Sequence, residues 1–418
     1  NSILFIVDHK HRDLPSLSLI GFYLKKKGFE VSFCGTSMES EVFEKADPEF
    51  IIIPKLTYST NSQLHWKIDG RKIIIVETEG NNQDKEIKYR TTVYPDLYFF
   101  WNNSVKNIYS DDLQGHDTKI IVGGYYRSDF FFAPLNKIFN PDEIKRSIGI
   151  DNQFPTITIA TSTQDSHFSS ERIKNKKKKR KRSFDITPDY ELIVKNMRTL
   201  RTITENFLIS ADNEINKKVN FVIKPHPNES IIYWHELIEK NNLKNCYLMV
   251  GTNINHLLSI SDFHISHNVC TTTAEAIMSD IPTAEIQTEL SDELYADEHL
   301  NLPDYKLKNK RDLIEVINNY FTKTSKKKNT KIDKYIKSFF TMNDGKRCKF
   351  YANEIEKFVN EDNKNKLSMK SKIKYSFLIS LIALRNKVMF IRTAKNKKII
   401  EEVYQLKKES SVKISGIN

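Results

Sequence analysis

Over residues 1–130 the chain alternates short apolar runs with stretches whose apolar positions recur at helical spacing. Ile3 to Val7, Glu30 to Cys34, Phe50 to Ile53, Lys72 to Val76, Leu97 to Phe100 and Lys119 to Val122 are rich in aromatic and β-branched residues, as covered strands are. Between the first two, Ser16 to Lys27 places Leu17, Ile20, Tyr23 and Leu24 on one helical face, and Gly28 supplies the C-cap. Strand and helix in alternation predict βαβ units on a parallel sheet, a Rossmann-like domain over residues 1–150. Phe132 to Phe154, with Pro134 and Pro141, reads as the connection to a second unit.

The second unit, residues 151–322, opens with a strand over Thr156 to Thr161 and continues with Phe221-Val222-Ile223, Asp262 to Ser266 and a further strand after Pro282. Asp312 to Phe321 and Phe339 to Phe358 carry helical patterns, the latter within a basic carboxyl-terminal region, 323–418. The predicted fold class is therefore α/β, two Rossmann-like domains facing a cleft, with carboxyl-terminal helices.

Two strand ends carry the candidate chemistry. NFVIKPHPNE (Asn220 to Glu229) is an apolar run stopped by Pro225 and Pro227, which hold Lys224 and His226 in a stiff turn at the strand's carboxyl end, where open α/β sheets bind ligands. About forty residues on, Thr271, Thr272 and Thr273 precede a helix beginning near Ala274, with Glu275 in its first turn. Such a helix start offers free N–H donors and a positive dipole end to a phosphate, although a threonine cluster also serves as an ordinary N-cap. Together the two stretches point to a bound nucleotide.

This pairing resembles the nucleotide half of GT-B glycosyltransferases, particularly bacterial sialyltransferases, capsule Kdo transferases and CDP-glycerol-type polymer transferases. The resemblance implies that His226 and Pro227, then Thr271, Thr272 and Thr273, contact donor phosphate, with Glu275 directed at the ribose; Lys224, from its place at the strand end, is expected to pair with the same phosphate. The opening ILFIVDHKHRDLPSLSLIGFYLKKKGFEV, through Arg12, Asp13, Leu14, Pro15 and Gly28 to Val31, looks like the start of bacterial surface-carbohydrate biosynthesis proteins. The same resemblance draws attention to the Glu77-Thr78-Glu79-Gly80 turn, where Glu79 is the expected general acid or base, and to Asp165 as a nucleophile, with Asp129 competing. Arg12 and Arg127 are candidate acceptor or anion contacts; Arg12 is equally readable as a solvated loop cation. The paired glycines Gly123-Gly124 suit a cleft wall or an ordinary turn.

Charge and composition narrow the partners. An apolar fraction of 39% supports packed cores, and a net charge of +12 favours an anionic partner. The densest charge lies in ERIKNKKKKRKRSF, expected as a solvated basic loop over residues 171–183 that could meet an anionic membrane or glycan. No aromatic stacking pattern accompanies it, so nucleic acid is not an expected partner. YSFLISLIAL (Tyr375 to Leu384), flanked by lysines, is too short to span a bilayer and reads as part of an interfacial helix over 372–394. Four widely separated cysteines and the absence of an apolar leader predict a cytosolic protein, peripheral at the inner face of the membrane. No Asp-x-Asp metal site is evident, so catalysis without a divalent ion or other cofactor is expected. The expectation is thus a nucleotide-sugar transferase acting on a glycan or lipid-linked acceptor. CMP-Kdo is the favoured donor and a CDP-polyol the alternative; a non-catalytic assembly factor is the competing class.

Overall fold

The computed structural model describes residues 1–362 apart from 37–38, 57, 79–87, 90–92, 114–115, 151, 187–188, 216–217, 269, 296, 323–335, 338–339 and 342–343. Glu79 and the 372–394 stretch lie outside the described residues. The strands of the first half are β1 (Ser2–Val7), β2 (Glu30–Gly35), β3 (Phe50–Ile53), β4 (Lys72–Val76), β5 (Lys88–Tyr89), β6 (Leu97–Phe100) and β7 (Lys119–Val122). Those of the second are β8 (Thr156–Ala160), β9 (Phe184–Ile186), β10 (Asn220–Lys224), β11 (Cys246–Leu248), β12 (Phe263–His267), β13 (Thr283–Ile286) and β14 (Tyr305–Leu307).

Two six-stranded parallel sheets result, ordered β2-β1-β3-β4-β6-β7 and β11-β10-β8-β12-β13-β14. Strand order reverses between β1 and β3 and between β8 and β12, and ligands bind beyond the carboxyl ends of strands at such switch points. Period-two alternation assigns the faces of the first sheet. Ile3, Phe5 and Val7 pack with Ile52, Ile74 and Phe99 on one side, while Leu4 and Ile6 pack with Ile51, Ile73 and Tyr98 on the other. The edge strands β11 and β14, three residues each, were not expected from the sequence; so short a run gives no periodicity to read.

Three expectations change. The helix Pro141–Ser147 and Ile150 pack with β10 and the helix Ile254–Ser259, so the second unit begins before residue 150. The helix Arg347–Asp362, expected in a carboxyl-terminal region of its own, returns to the first sheet. Its Cys348, Tyr351, Ala352, Ile355, Phe358 and Val359 join the core of Ile3, Phe5 and Leu17. Gly123 and Gly124 serve this docking and not a cleft wall: a Cβ on Gly123 would stand 2.5 Å from the Tyr351 ring, and Tyr351 Oη donates to the Gly124 carbonyl (2.8 Å).

The third change concerns the basic run, which is the helix Ser170–Ser183 and not a loop. Lysine and arginine are good helix formers, the Arg172 N–H is capped by Ser169 Oγ, and Ile173 anchors on Phe168, Tyr190 and Val194. After it, β9 pairs antiparallel with β5, joining an insertion of the second half to one of the first.

Candidate functional site

The loop after β1 is built around a buried carboxylate that motif reading left without a role. Asp13 is fully buried and accepts from the His9 N–H (3.1 Å), from Arg12 Nε (2.8 Å) and from Arg127 (3.4 Å). Arg12 also meets Asp8 (3.3 Å), and Asp8 in turn meets Lys55 (3.1 Å). Arg12 and Arg127 are thus brought together on one carboxylate. Arg127 is buried over the Trp101 and Tyr125 rings with its Nε unpartnered, and Asp13 and Glu275 help keep it charged against the cost of burial.

From the second half, Lys224 and His226 arrive at the carboxyl end of β10 as the proline turn implied. Burial pulls the Lys224 pKa down and Glu275 opposes the shift. Burial is the main cause that lowers the pKa values of His9, His11 and His256, and the Lys224 charge adds to it. His226 Nδ1 accepts from the Asn228 N–H (3.2 Å), which leaves Nε2–H as a donor in the neutral ring. His9 is arranged alike, its Nδ1 accepting from the Arg12 N–H (3.3 Å). His11 lies against Gly251 of the second half, where an added Cβ would stand 3.5 Å from Nε2. Burial, Lys10 and Lys224 all favour its neutral form.

The threonine cluster opens the helix Thr271–Met278, three residues earlier than read from the sequence. The expected cradle divides. Thr272 Oγ1 meets His264 Nε2 (3.1 Å), and Thr273 Oγ1 is buried against Ser266 (2.5 Å) and Glu285 (2.6 Å). These two hydroxyls fasten the helix to a polar face of β8, β12 and β13, leaving Thr271 as the member with its side chain outside that network. Glu275 is buried and accepts from Tyr125 Oη of the first half, while burial raises its pKa and Arg127 opposes that. The Tyr125 ring packs at a tilt against Trp101 and Phe340, with centroids 4.5 and 4.8 Å apart.

The two proposed nucleophiles have structural partners. Asp165 accepts from Lys176 Nζ and Tyr190 Oη (both 2.6 Å), which ties it to the basic helix. Asp129 accepts the N–H groups of Arg347 and Cys348 (2.8 Å each) and so caps the helix Arg347–Asp362. In the turn before Glu79, Glu77 is buried and accepts from Tyr98 Oη (2.7 Å). Glu229, beyond the His-Pro motif, is a half-buried brace: it accepts from Thr161 Oγ1 (2.6 Å), Trp234 Nε1 (2.8 Å) and the Thr163 N–H. His9, His11, His256 and Tyr125 escaped the motif reading, and Asp13 entered it only as part of the opening turn, with no role. The HKH triplet before Arg12 was the one visible hint.

The site is therefore a cleft whose two walls carry Arg12, Arg127 and Lys224 with four imidazoles, set against the buried carboxylates Asp13 and Glu275. Such a wall can hold a phosphate-bearing ligand and stabilise charge leaving with it. Among the described residues no helix is long and apolar enough to cross a membrane.

No family model matches the chain, and no curated protein sequence does. Solved structures are similar in fold. The wall teichoic acid polymerase TagF, H444N variant, aligns over 87% of this chain and 90% of its own at 13% identity and TM-score 0.56. The same variant soaked with CDPG gives 0.55. UDP-GlcNAc 2-epimerase from Neisseria meningitidis, bound to UDP-GlcNAc, aligns over 85% of this chain and 100% of its own at 13% identity and TM-score 0.53. With two parallel six-stranded sheets, the chain has the two-domain GT-B fold.

Proposed function

We propose that this protein is a transferase of bacterial surface-polymer assembly that takes its donor from a cytidine nucleotide. The single observation carrying this reading is geometric: Arg12 and Arg127 converge on the buried Asp13, while Tyr125 of the first half donates to the buried Glu275 of the second, so that cations and a carboxylate from both halves line one site. The donor phosphates would lie between Lys224, His226 Nε2–H and the amino-terminal turn of Thr271–Met278, with Glu275 at the ribose. An open cavity of 470 Å³ beyond β1 and β2, lined by Asp8, His9, Lys10, Leu14 and Phe33, offers room for the acceptor.

A CDP-linked polyol phosphate is the donor best supported by so cationic a wall. In that reaction an acceptor hydroxyl attacks the distal phosphorus, a new P–O bond forms, the P–O–P bond breaks and CMP leaves. His11 takes the hydroxyl proton, while Lys224 and the His9 and His226 Nε2–H donors meet the charge developing on phosphate. The side chains supply that charge in this reading, so EDTA leaves turnover unchanged. The second reading, transfer of Kdo from CMP-Kdo, is favoured by the Arg12 to Pro15 resemblance of the opening turn.

The test is a thermal-shift panel with CMP, CDP, UDP, GDP and ADP on the native chain and on Lys224→Ala and His226→Ala. The expected result is a rise in Tm with cytidine nucleotides that both variants lose, about 2.7 kcal/mol of stabilisation at a hundredfold excess over Kd. Product analysis with CDP-glycerol and CMP-Kdo then separates the two donors. No response to any nucleotide would defeat both readings and leave the non-catalytic assembly factor.

A further inference from the structure

We propose that the helix Ser170–Ser183 is a docking surface for a polyanionic chain leaving or entering the cleft. That this chain is the acceptor of the transfer reaction rests on the reading above; the docking itself does not. Nine of the fourteen residues in SERIKNKKKKRKRS are Lys or Arg, and one is acidic. Among the described side chains, Lys176 is paired with Asp165, and Lys177 with Asp189 and Glu191. Arg172, Lys174 and Lys178 are exposed and form no ion pair among the described residues.

Like charges four residues apart oppose a helix, and here Lys174 and Lys178, Lys177 and Lys181, and Lys178 and Arg182 stand at that spacing. An anionic chain laid along the helix would relieve this repulsion while releasing its own counterions.

Position gives the surface its meaning. The helix leaves the carboxyl end of β8 and leads into β9, which pairs with β5 from the insertion after β4. Both insertions start from carboxyl strand ends, the edge of the sheets at which the cleft lies, so the basic helix stands at a lip shared by the two halves. A polymer leaving the cleft over this lip would run along it. A membrane surface fits less well, because an interfacial helix needs an apolar face to insert. The single apolar residue of this helix, Ile173, is buried on Phe168, Tyr190 and Val194.

The experiment titrates the full chain with fluorescein-labelled inorganic polyphosphate at several salt concentrations. Beside it stands a variant carrying Lys174→Gln, Lys178→Gln, Lys179→Gln and Arg182→Gln, which keeps helix propensity. The expected result is an affinity at least about tenfold lower in the variant. Its slope of log K against log salt should be shallower by about 3, from four contacts at about 0.7 each on a flexible polyanion. The Tm rise with nucleotide stays the same in the variant, which separates this proposal from the donor-site reading. Equal affinity of the two proteins overturns the proposal, as does a native chain that ignores polyphosphate at low salt. Binding to phosphatidylglycerol vesicles without binding to polyphosphate also overturns it and assigns the helix to a membrane.

Discussion

Tyr125 and Glu275, separated by 150 positions in the chain, form a buried hydrogen bond between the halves. Tyr125→Phe keeps the ring packing on Trp101 and Phe340 but leaves Glu275 one donor short. The expected loss is about 1–3 kcal/mol of stability, read by urea unfolding. If Glu275 is held in place for the ribose, the same variant also weakens cytidine-nucleotide binding; unchanged affinity would remove Tyr125 from any positioning role. At this scale the sequence was legible where local chemistry sufficed. Prolines stop a strand and leave Lys224 and His226 at its end, and a threonine run marks a helix start near Glu275. Asp13, by contrast, acquires its place through Arg127, 114 positions away, and nothing in its neighbourhood announces that. Asp129 and Asp165 show the converse, since a carboxylate after a strand looks the same whether it faces a cleft, caps a distant helix or neutralises a lysine.

Among the elements, the helix Arg347–Asp362 depends on two residues that a reader of the sequence would assign to the cleft. Asp129→Ala removes the acceptor of the Arg347 and Cys348 N–H groups, and Gly123→Ala forces the Tyr351 ring away. Each is expected to cost about 1–3 kcal/mol and to make this helix the first segment cut in limited proteolysis. Cleavage elsewhere first, with Tm unchanged, would refute the assignment. The alternation of strands and helices was readable because burial on both faces of a parallel sheet forces continuous apolar runs. The conformation of the basic run was not: its charge argues for a loop, and helix propensity plus the Ile173 anchor prevail.

For the whole molecule, burial of His264 and His267 in the second half sets a pH dependence. Both imidazoles are lowered to about 3 by burial. His267 is held neutral with Nδ1 accepting from the Ser162 N–H (3.1 Å) and Nε2 against Thr204 Oγ1 (2.7 Å). The unfolded chain protonates them near pH 6.5 and the folded one does not. Protons bound are then more numerous in the unfolded state, so stability falls as pH drops from about 6.5 toward 3, by up to about 1.4 kcal/mol per pH unit for each ring. Glu229 and Glu275, whose pKa values burial raises, act in the opposite sense. The difference between the native chain and His267→Gln isolates one imidazole: urea midpoints at pH 7, 6 and 5 should diverge less steeply in the variant, and parallel curves would contradict the account.

The return of Arg347–Asp362 to the first sheet also fixes an order in time. During synthesis at about 5–20 residues per second, β7 emerges tens of seconds before Tyr351, Ile355 and Val359 exist to cover Ile3, Phe5 and Leu17. Over that interval the amino-terminal half presents an open apolar face to the chaperones around it, while the second sheet can complete its own packing. The half made first is thus the last to close.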